Sequence, residues 1–469
     1  MMHGKHLVAV GGVLTASLVL AGCGGTKAAV SNAQLNAGAK QVTLTITANA
    51  ISGGKNAQEA DWITKYVIPQ FEAAQKKKGV DAKVTFDPNG VDDSPYKTKI
   101  SLALNTGGGA DVISIDGIWV GEFADAGYIK PLNTVVGKDV ATKWSGLSQI
   151  NPAVQQVMTY KNQLYGIPDG TDGRVIYFNK NLFKQAGLPT DWQPQSWSDI
   201  ISAAQKLKSL PGVTPLQINA GSAMGEATTM QGILPLLVGT GSPILKNGKW
   251  QGDSAGLRST LDLYAKIYGA DKLGDLQWQQ AANGRDQSFA AFAKNKLGII
   301  IESDYLWRSV INPSNGTAPM ANRDTAVGWA KIPAETAGTG VNGQKFVSMS
   351  GGSGEVLNPK TKYPQQAFEL MTFMNSAAAV KARLGNTPQI TARDDVNSQV
   401  LASDPLLSYI AKNVLPITIY RPSLSDYTKV STALQNATDS VVNGTSVANA
   451  ATTYQKTLEG IVGAGNVFK

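Results

Sequence analysis

Histidine is nearly missing from this 469-residue chain, and its two copies, His3 and His6, lie within the first six residues. Cysteine occurs once, as Cys23. A chain cleaved ahead of Cys23 keeps no histidine, which excludes histidine-based triads, cysteine–histidine nucleophile pairs and zinc centres built from His and Cys. One cysteine also leaves no partner for an internal disulfide. Long runs of one charge are equally scarce. Lys and Arg exceed Asp and Glu by 42 to 34 but are dispersed, and the single dense run, QKKKG at 75–79, ends a predicted helix. It reads as a solvated face rather than a phosphate track, so nucleic acid is not expected as a partner. The basic exterior then either faces anionic lipid or cell wall, or has no role.

The N-terminus supplies what the rest lacks. MMHGKH precedes an apolar stretch from Leu7 to Gly22, about 16 residues and shorter than the ~20 needed to cross a bilayer. Small residues, Ala21 and Gly22, then lead into Cys23, the order of a secretory signal with its cleavage site. LAGC resembles the bacterial lipobox, which implies a signal peptide over 1–22 and a lipid on Cys23 after cleavage. GGTKAAVSNAQLNAGAK, rich in Gly, Ala, Ser and Asn, is expected to complete a flexible tether over 23–40.

From Gln41 onward, strand and helix patterns alternate. VTLTITANA, KVTFDPNG and ADVISIDG have strand character, while DWITKYVIPQFEAAQKKK, YKTKISLALNT and IWVGEFADAG have helical spacing. Pro69 is expected to kink or divide the first helix. A second block opens at RVIYFNK and closes at KLGIIIES, with a capping box at Ser196 and Asp199 between them. Residues 313–345 look like a loop-rich crossing between domains. Such alternation predicts an α/β protein with mostly parallel sheets covered by helices on both faces.

Four stretches, in order, are YKTKISLALNTGGGADVISIDGIWVGEFADAGYIKPL, LYGIPDGTDGRVIYFNKNLFKQAGL, FAAFAKNKLGIIIESDYLW and VSMSGGSGEVLNPKTKYPQQAFELMTFMNS. Together they resemble the sugar-binding branch of bacterial extracellular solute-binding proteins, the group that includes maltose-binding proteins. Ala110 and the ESDYLW segment depart from that pattern. The resemblance implies a two-lobed periplasmic-binding-protein-like fold of type II, with hinge strands joining the lobes. The expected division is 41–170 with 335–378 as the first lobe and 171–334 with 379–469 as the second. It also implies hinge closure on a ligand beyond the carboxyl ends of the strands.

Carboxylates and amides suit the hydroxyl edge of a sugar, and an aromatic ring suits its C–H face. By position within the resembling stretches, Asp116 and Asp172 are expected hydroxyl acceptors, with Trp119, Tyr305 and Trp307 as candidate stacking faces. Tyr305 and Trp307, two apart on an extended segment, are expected to face one side. Gly351 and Gly352 would let the backbone approach the ligand or form a strand bulge. Asn49 follows the first strand, and Arg421 lies in YRPSLSDY, where Asp426 is an alternative partner. Asp169 is a candidate turn cap. GGSG and GTGS lack the lysine and serine spacing of a phosphate-binding loop.

The expected protein is a non-enzymatic, monomeric binding protein without cofactor or metal. It would be anchored by Cys23 to the outer face of the cytoplasmic membrane and would hand a mono- or oligosaccharide to an ABC transporter permease. Two alternatives stay open. One is a glycoside hydrolase using carboxylates alone, with Asp116, Asp172, Glu302 and Asp304 as candidates; the other is the same fold carrying a polyamine, a phosphate ester or a metal chelate.

Overall fold

In the computed structural model, residues 32–468 are described, apart from 55, 92 and 386. Two sheets, each with its own cores, make two lobes. The first has the order Asp81–Pro88, Gln41–Ala48, Val112–Asp116, Ser353–Leu357, Gly166–Pro168. The first three strands run parallel, and Ser353–Leu357 is antiparallel to both its neighbours. The second sheet has the order Val327–Ala330, Arg174–Asn179, Leu297–Ser303, Thr214–Gln217, with one parallel pairing. Both sheets are therefore mixed rather than mostly parallel. The cause is the chain path, since a strand returning from the other lobe enters the sheet in the opposite sense.

The second sheet shows why RVIYFN and LGIIIES contain so little polar punctuation: every residue of both strands is buried. Ile176, Phe178, Ile299 and Ile301 enter the core on one face, while Val175, Tyr177, Leu297 and Ile300 enter the core on the other. Helices cover both faces, so alternation by side does not become alternation by polarity. The strand Val327–Ala330 completes this sheet from within the stretch expected to be loop.

The chain passes between lobes at 169–173, at 351–352, and again along 390–401, where Ile390 and Leu401 pack in a second-lobe core and Ala392 in a first-lobe core. Val347 and Met349 pack in the second-lobe core, although 335–350 was assigned by sequence to the first lobe. Conversely, Ala379 packs in the first-lobe core and accepts a 2.8 Å hydrogen bond from Trp62 Nε1. The first expected boundary, at 170/171, falls within a crossing, whereas the second and third lie more than ten residues later than expected.

Helix termini follow the sequence more closely. Ser196 and Asp199 form the reciprocal capping box. The helix through Pro69 stays continuous, but Ile63–Val67 widens by one residue per turn just ahead of it, which accommodates the proline ring. Cys23 and the leader lie outside the described residues. Of the stretch expected to be a flexible tether, 23–31 also lie outside the described residues, and 32–40 are docked on the first lobe. Ala33 is buried, Gln365 Nε2 donates to its carbonyl at 2.7 Å, and Gln366 Nε2 donates to the carbonyls of Asn36 and Ala37 at 2.9 and 3.1 Å.

Candidate functional site: the interlobe cleft

Between the lobes lies a cleft of about 650 Å³. The first lobe contributes Glu59, Asp116, Asp169, Ser353 and Arg383 to its walls; the second contributes Arg174, Glu226, Gln231, Arg285, Tyr305 and Arg308; the crossings contribute Asp172, Gly351 and Gly352; and Arg421 follows the short strand Thr418–Tyr420, which pairs with Ser348–Ser350 beside the second crossing.

Asp116 ends a first-lobe strand, and its carboxylate accepts the Ile118 N–H at 3.1 Å, capping the turn that follows. The same oxygen accepts from Arg421 Nη2 at 3.2 Å, while Arg421 Nη1 donates to Glu226 at 3.0 Å. One guanidinium therefore ties a first-lobe carboxylate to a second-lobe one. Burial raises the Asp116 carboxyl above its ordinary value, against the opposing pull of Arg421. Arg421 loses hydration in the same place, but Asp116 and Glu226 more than offset this and hold it charged. Glu226 is fixed in turn by Tyr427 and Ser431, whose hydroxyls donate at 2.5 and 2.6 Å.

Asp172 sits on the first crossing, where it accepts the Gly351 N–H at 2.7 Å and contacts Arg174. Burial works against its charge, yet Arg174, the Gly351 amide and Arg421 together hold it below the usual carboxylate range. Arg174 reaches the cleft from a fully buried strand and also donates to Gln231 at 2.7 Å. Deeper in the second lobe, Arg285 makes two parallel bonds to Glu302, at 2.7 and 2.8 Å, and Arg308 donates to Asp304 at 2.9 Å. On the first-lobe wall, Arg383 donates to Asp169 at 2.9 Å and Ser353 to the other carboxylate oxygen at 2.8 Å. Each arginine lining the cleft thus has a carboxylate partner. Glu59 lies beside this pair, where burial and Asp169 push its carboxyl up to about 7.

Of the residues expected from sequence, Asp116, Asp172, Tyr305, Gly351, Gly352 and Arg421 line the cleft, whereas Asn49, Trp119 and Trp307 are not among its lining. Asn49 instead clamps two loops, donating to the carbonyl of Val91 at 3.0 Å and to Asp93 at 3.2 Å. Trp119 is buried against Tyr96 and Phe123, with ring centres 6.2 Å away in both cases. Trp307 is buried, donates from Nε1 to Asp404 at 3.0 Å, and carries Arg323 3.7 Å above its ring. The extended geometry expected for Tyr305 and Trp307 ends at Ser303, and the chain turns helical from Asp304. Two residues on a helix diverge by roughly 200°, so one ring meets the cleft and the other the core. Tyr305 is the only aromatic residue among the cleft lining.

Asp169 does more than cap a turn, and Arg421 pairs with Asp116 and Glu226 rather than Asp426. The two glycines serve close packing: a methyl group at Gly352 would lie 2.6 Å from the Gly170 carbonyl oxygen, so the two crossings touch there. Sequence reasoning missed Glu59, Arg174, Glu226, Arg285, Arg308 and Arg383. Arg174 had a signal, an arginine heading an otherwise apolar strand two residues after an aspartate. The partners of Arg383 and Arg421 are far away in sequence, and nothing local marks them. Among the described residues, no group of three or more His, Cys, Asp or Glu side chains is placed to hold a metal, and no helix is long and apolar enough to cross a membrane.

Two sheet-centred lobes, three crossings and a polar cleft between them define a two-lobed solute-binding fold. The profile of the family described as bacterial extracellular solute-binding protein matches residues 56–381, and the chain belongs to that family. A solute-binding protein of an ABC transporter from Thermotoga lettingae, solved with α-D-tagatose, covers 89% of this chain and 99% of its own at a TM-score of 0.67 and 22% identity, which shows the fold. In sequence, a putative binding protein of Brucella abortus (strain 2308) is 26% identical over 172 residues, 36% of this chain and 39% of that protein. A mannitol-binding protein of Pseudomonas aeruginosa is 22% identical over 263 residues, 54% of each chain. The matches therefore span about two-fifths to one half of these relatives.

Proposed function

We propose that the protein captures a neutral, polyhydroxylated solute, a mono- or oligosaccharide or a related polyol, and delivers it to an ABC permease without chemical change. The observation that carries this is the pairing of every arginine that lines the cleft: Arg174, Arg285, Arg308, Arg383 and Arg421 are each matched by carboxylates. A phosphate ester needs arginine to spare, and none lining the cleft is unpaired. The carboxylates in excess of the arginines are Glu226, which shares Arg421 with Asp116 and is held by two hydroxyls, and Glu59, pushed towards its neutral form, which leaves little for a polyamine. The paired groups still offer N–H donors and carboxylate lone pairs in fixed directions, which suits hydroxyls that both donate and accept. Tyr305 offers the apolar face. The tagatose in the Thermotoga protein and the mannitol in the name of the Pseudomonas protein are of this class.

The hydrolase alternative gains little. Glu302 and Asp304 lie behind the cleft lining in arginine contacts, and Asp116 and Asp172, which do line it, are each engaged by an arginine and a backbone N–H, a structural use of both carboxylates. Placement outside the cytoplasm follows the family, and the Cys23 anchor and the monomeric state complete the reading. Thermal-shift measurements with neutral sugars, polyols, sugar phosphates and polyamines test it. A neutral ligand at 100 times its dissociation constant should add about 2.7 kcal/mol and be recovered intact. Stabilisation by a phosphate ester or polyamine alone, or conversion of the sugar, refutes it.

A further inference from the structure

The lysine run at 75–79 has no part in the cleft; it lies at the opposite end of the first lobe. Strands Gln41–Ala48 and Asp81–Pro88 start side by side there and run parallel with Val112–Asp116, whose last residue lines the cleft. Eight residues at about 3.3 Å each separate the two ends by roughly 26 Å. Lys40 precedes one strand, and Lys76 and Lys77 end the helix leading into the other. The docked 32–40 segment brings two more: Asn36 Nδ2 donates to the carbonyl of Lys362 at 2.9 Å, and Ala33 packs beside Gly137, next to Lys138.

Lys40, Lys76, Lys77, Lys138 and Lys362 are all exposed, and none is in an ion pair among the described residues. The carboxylates nearby are taken by other lysines: Glu369 by Lys78 at 3.1 Å, Asp139 by Lys143 at 3.8 Å and Asp81 by Lys83 at 4.0 Å. Leu35, on the docked segment, is 42% exposed.

We infer that this pole of the first lobe is a membrane-facing surface that binds anionic lipid headgroups and turns the cleft away from the bilayer during ligand capture, a contact that delivery to the permease must break. The choice of lipid over cell-wall polymer rests on the lipid-anchored reading. The nine residues from Cys23 to Asn32 can reach at most about 30 Å, and Asn32 begins the docked segment among these lysines. Docking by Gln365 and Gln366 thereby ties the anchor to one lobe. The other lobe is left to move.

The test uses the chain from residue 23 onward with Cys23→Ala, so that neither the apolar leader nor an acyl chain contributes, floated with vesicles rich in phosphatidylglycerol or made of phosphatidylcholine alone. Binding should favour the anionic vesicles and be lost near 1 M salt, where the screening length is about 3 Å. Adding Lys76→Glu, Lys77→Glu and Lys138→Glu should lower the partition by on the order of 100-fold, at about fivefold for each lysine lost. Melting temperature and sugar affinity should not change, because the cleft is at the other end. Equal partition of the two proteins, no preference for anionic vesicles, or capture by a soluble wall polyanion but not by vesicles overturns the inference. The anchored reading fails separately, if correctly cleaved Cys23→Ala protein in cells stays as firmly membrane-bound as the parent.

Discussion

The guanidinium of Arg421 lies against the α-carbon of Gly351, so close that a methyl group there would sit 2.8 Å from Nη2. Glycine at 351 is thus the seat of the residue that joins Asp116 to Glu226 across the cleft. Gly351→Ala must displace the guanidinium by several tenths of an ångström and lengthen both contacts. Loss of charge-assisted bonds of this kind costs about 1 to 3 kcal/mol, or roughly five- to 150-fold in affinity. Calorimetric titration with the best-binding sugar should show that loss. Small-angle scattering without ligand should show a larger radius of gyration, since the lobes lose a link. Unchanged values in both experiments would mean that the bridge contributes nothing to closure.

Tyr305 and Trp307 should respond oppositely. Tyr305→Ala removes the aromatic face from the cleft and should weaken sugars of similar shape together, with little effect on melting. Trp307→Phe removes the Nε1 donor to Asp404 and part of the ring beneath Arg323. It should destabilise the fold by about 1 to 3 kcal/mol while leaving sugar affinity near the parent value. Denaturant unfolding and titration on the same two proteins separate the roles. A Trp307→Phe protein of parental stability but reduced affinity would return that ring to the ligand.

How far the sequence could be read follows from the range of the interactions involved. RVIYFNK and KLGIIIES declare themselves as buried strands because burial on both faces requires continuous apolar residues. Asp116, Asp172 and Arg421 were legible because strand ends and crossings in such folds point into the cleft. The four residues of VGWA, from Val327 to Ala330, were too short and too close to glycine and proline to stand out from the surrounding turns. The Trp307 placement failed over one conformational change at Asp304, and the arginine–carboxylate pairs failed over distance: Arg383 meets Asp169 214 positions away, and Arg421 meets Asp116 at 305. Local periodicity carries no information about such pairs.

The anchor has its own prediction. Attached acyl chains contribute about 0.8 kcal/mol per buried methylene, and two or more chains hold a protein firmly where one does not. Cys23→Ala should release processed protein into the medium or leave uncleaved precursor, read by fractionation and the mass of the N-terminus. Correctly cleaved Cys23→Ala protein that remains on the membrane as firmly as the parent would refute lipid attachment.

Glu355 gives the fold a pH dependence that can be assigned to one group. It is buried on the first-lobe strand behind the cleft wall, accepts from Asn375 Nδ2 at 2.8 Å, and faces Asp169, Arg383 and Glu59. Burial, followed by the Asp169 charge, pushes its carboxyl up to about 8 from 4.5. The folded chain therefore holds a proton that the unfolded chain gives up near pH 4.5. Stability is fully present below that pH and falls as pH rises towards and through 8, because unfolding then relieves a buried charge. Glu355→Gln keeps the acceptor for Asn375 and has nothing to titrate. It should match the parent near pH 5 and exceed it at pH 9 by several kcal/mol, at about 1.4 kcal/mol for each pKa unit. Glu59, raised to about 7 by burial and Asp169, should leave a shallower fall in the variant around neutral pH. Urea unfolding of both proteins from pH 5 to 9 measures the two slopes. Equal slopes across that range would mean that Glu355 is already ionised in the fold, and its proton would have to be sought elsewhere in the carboxylate cluster.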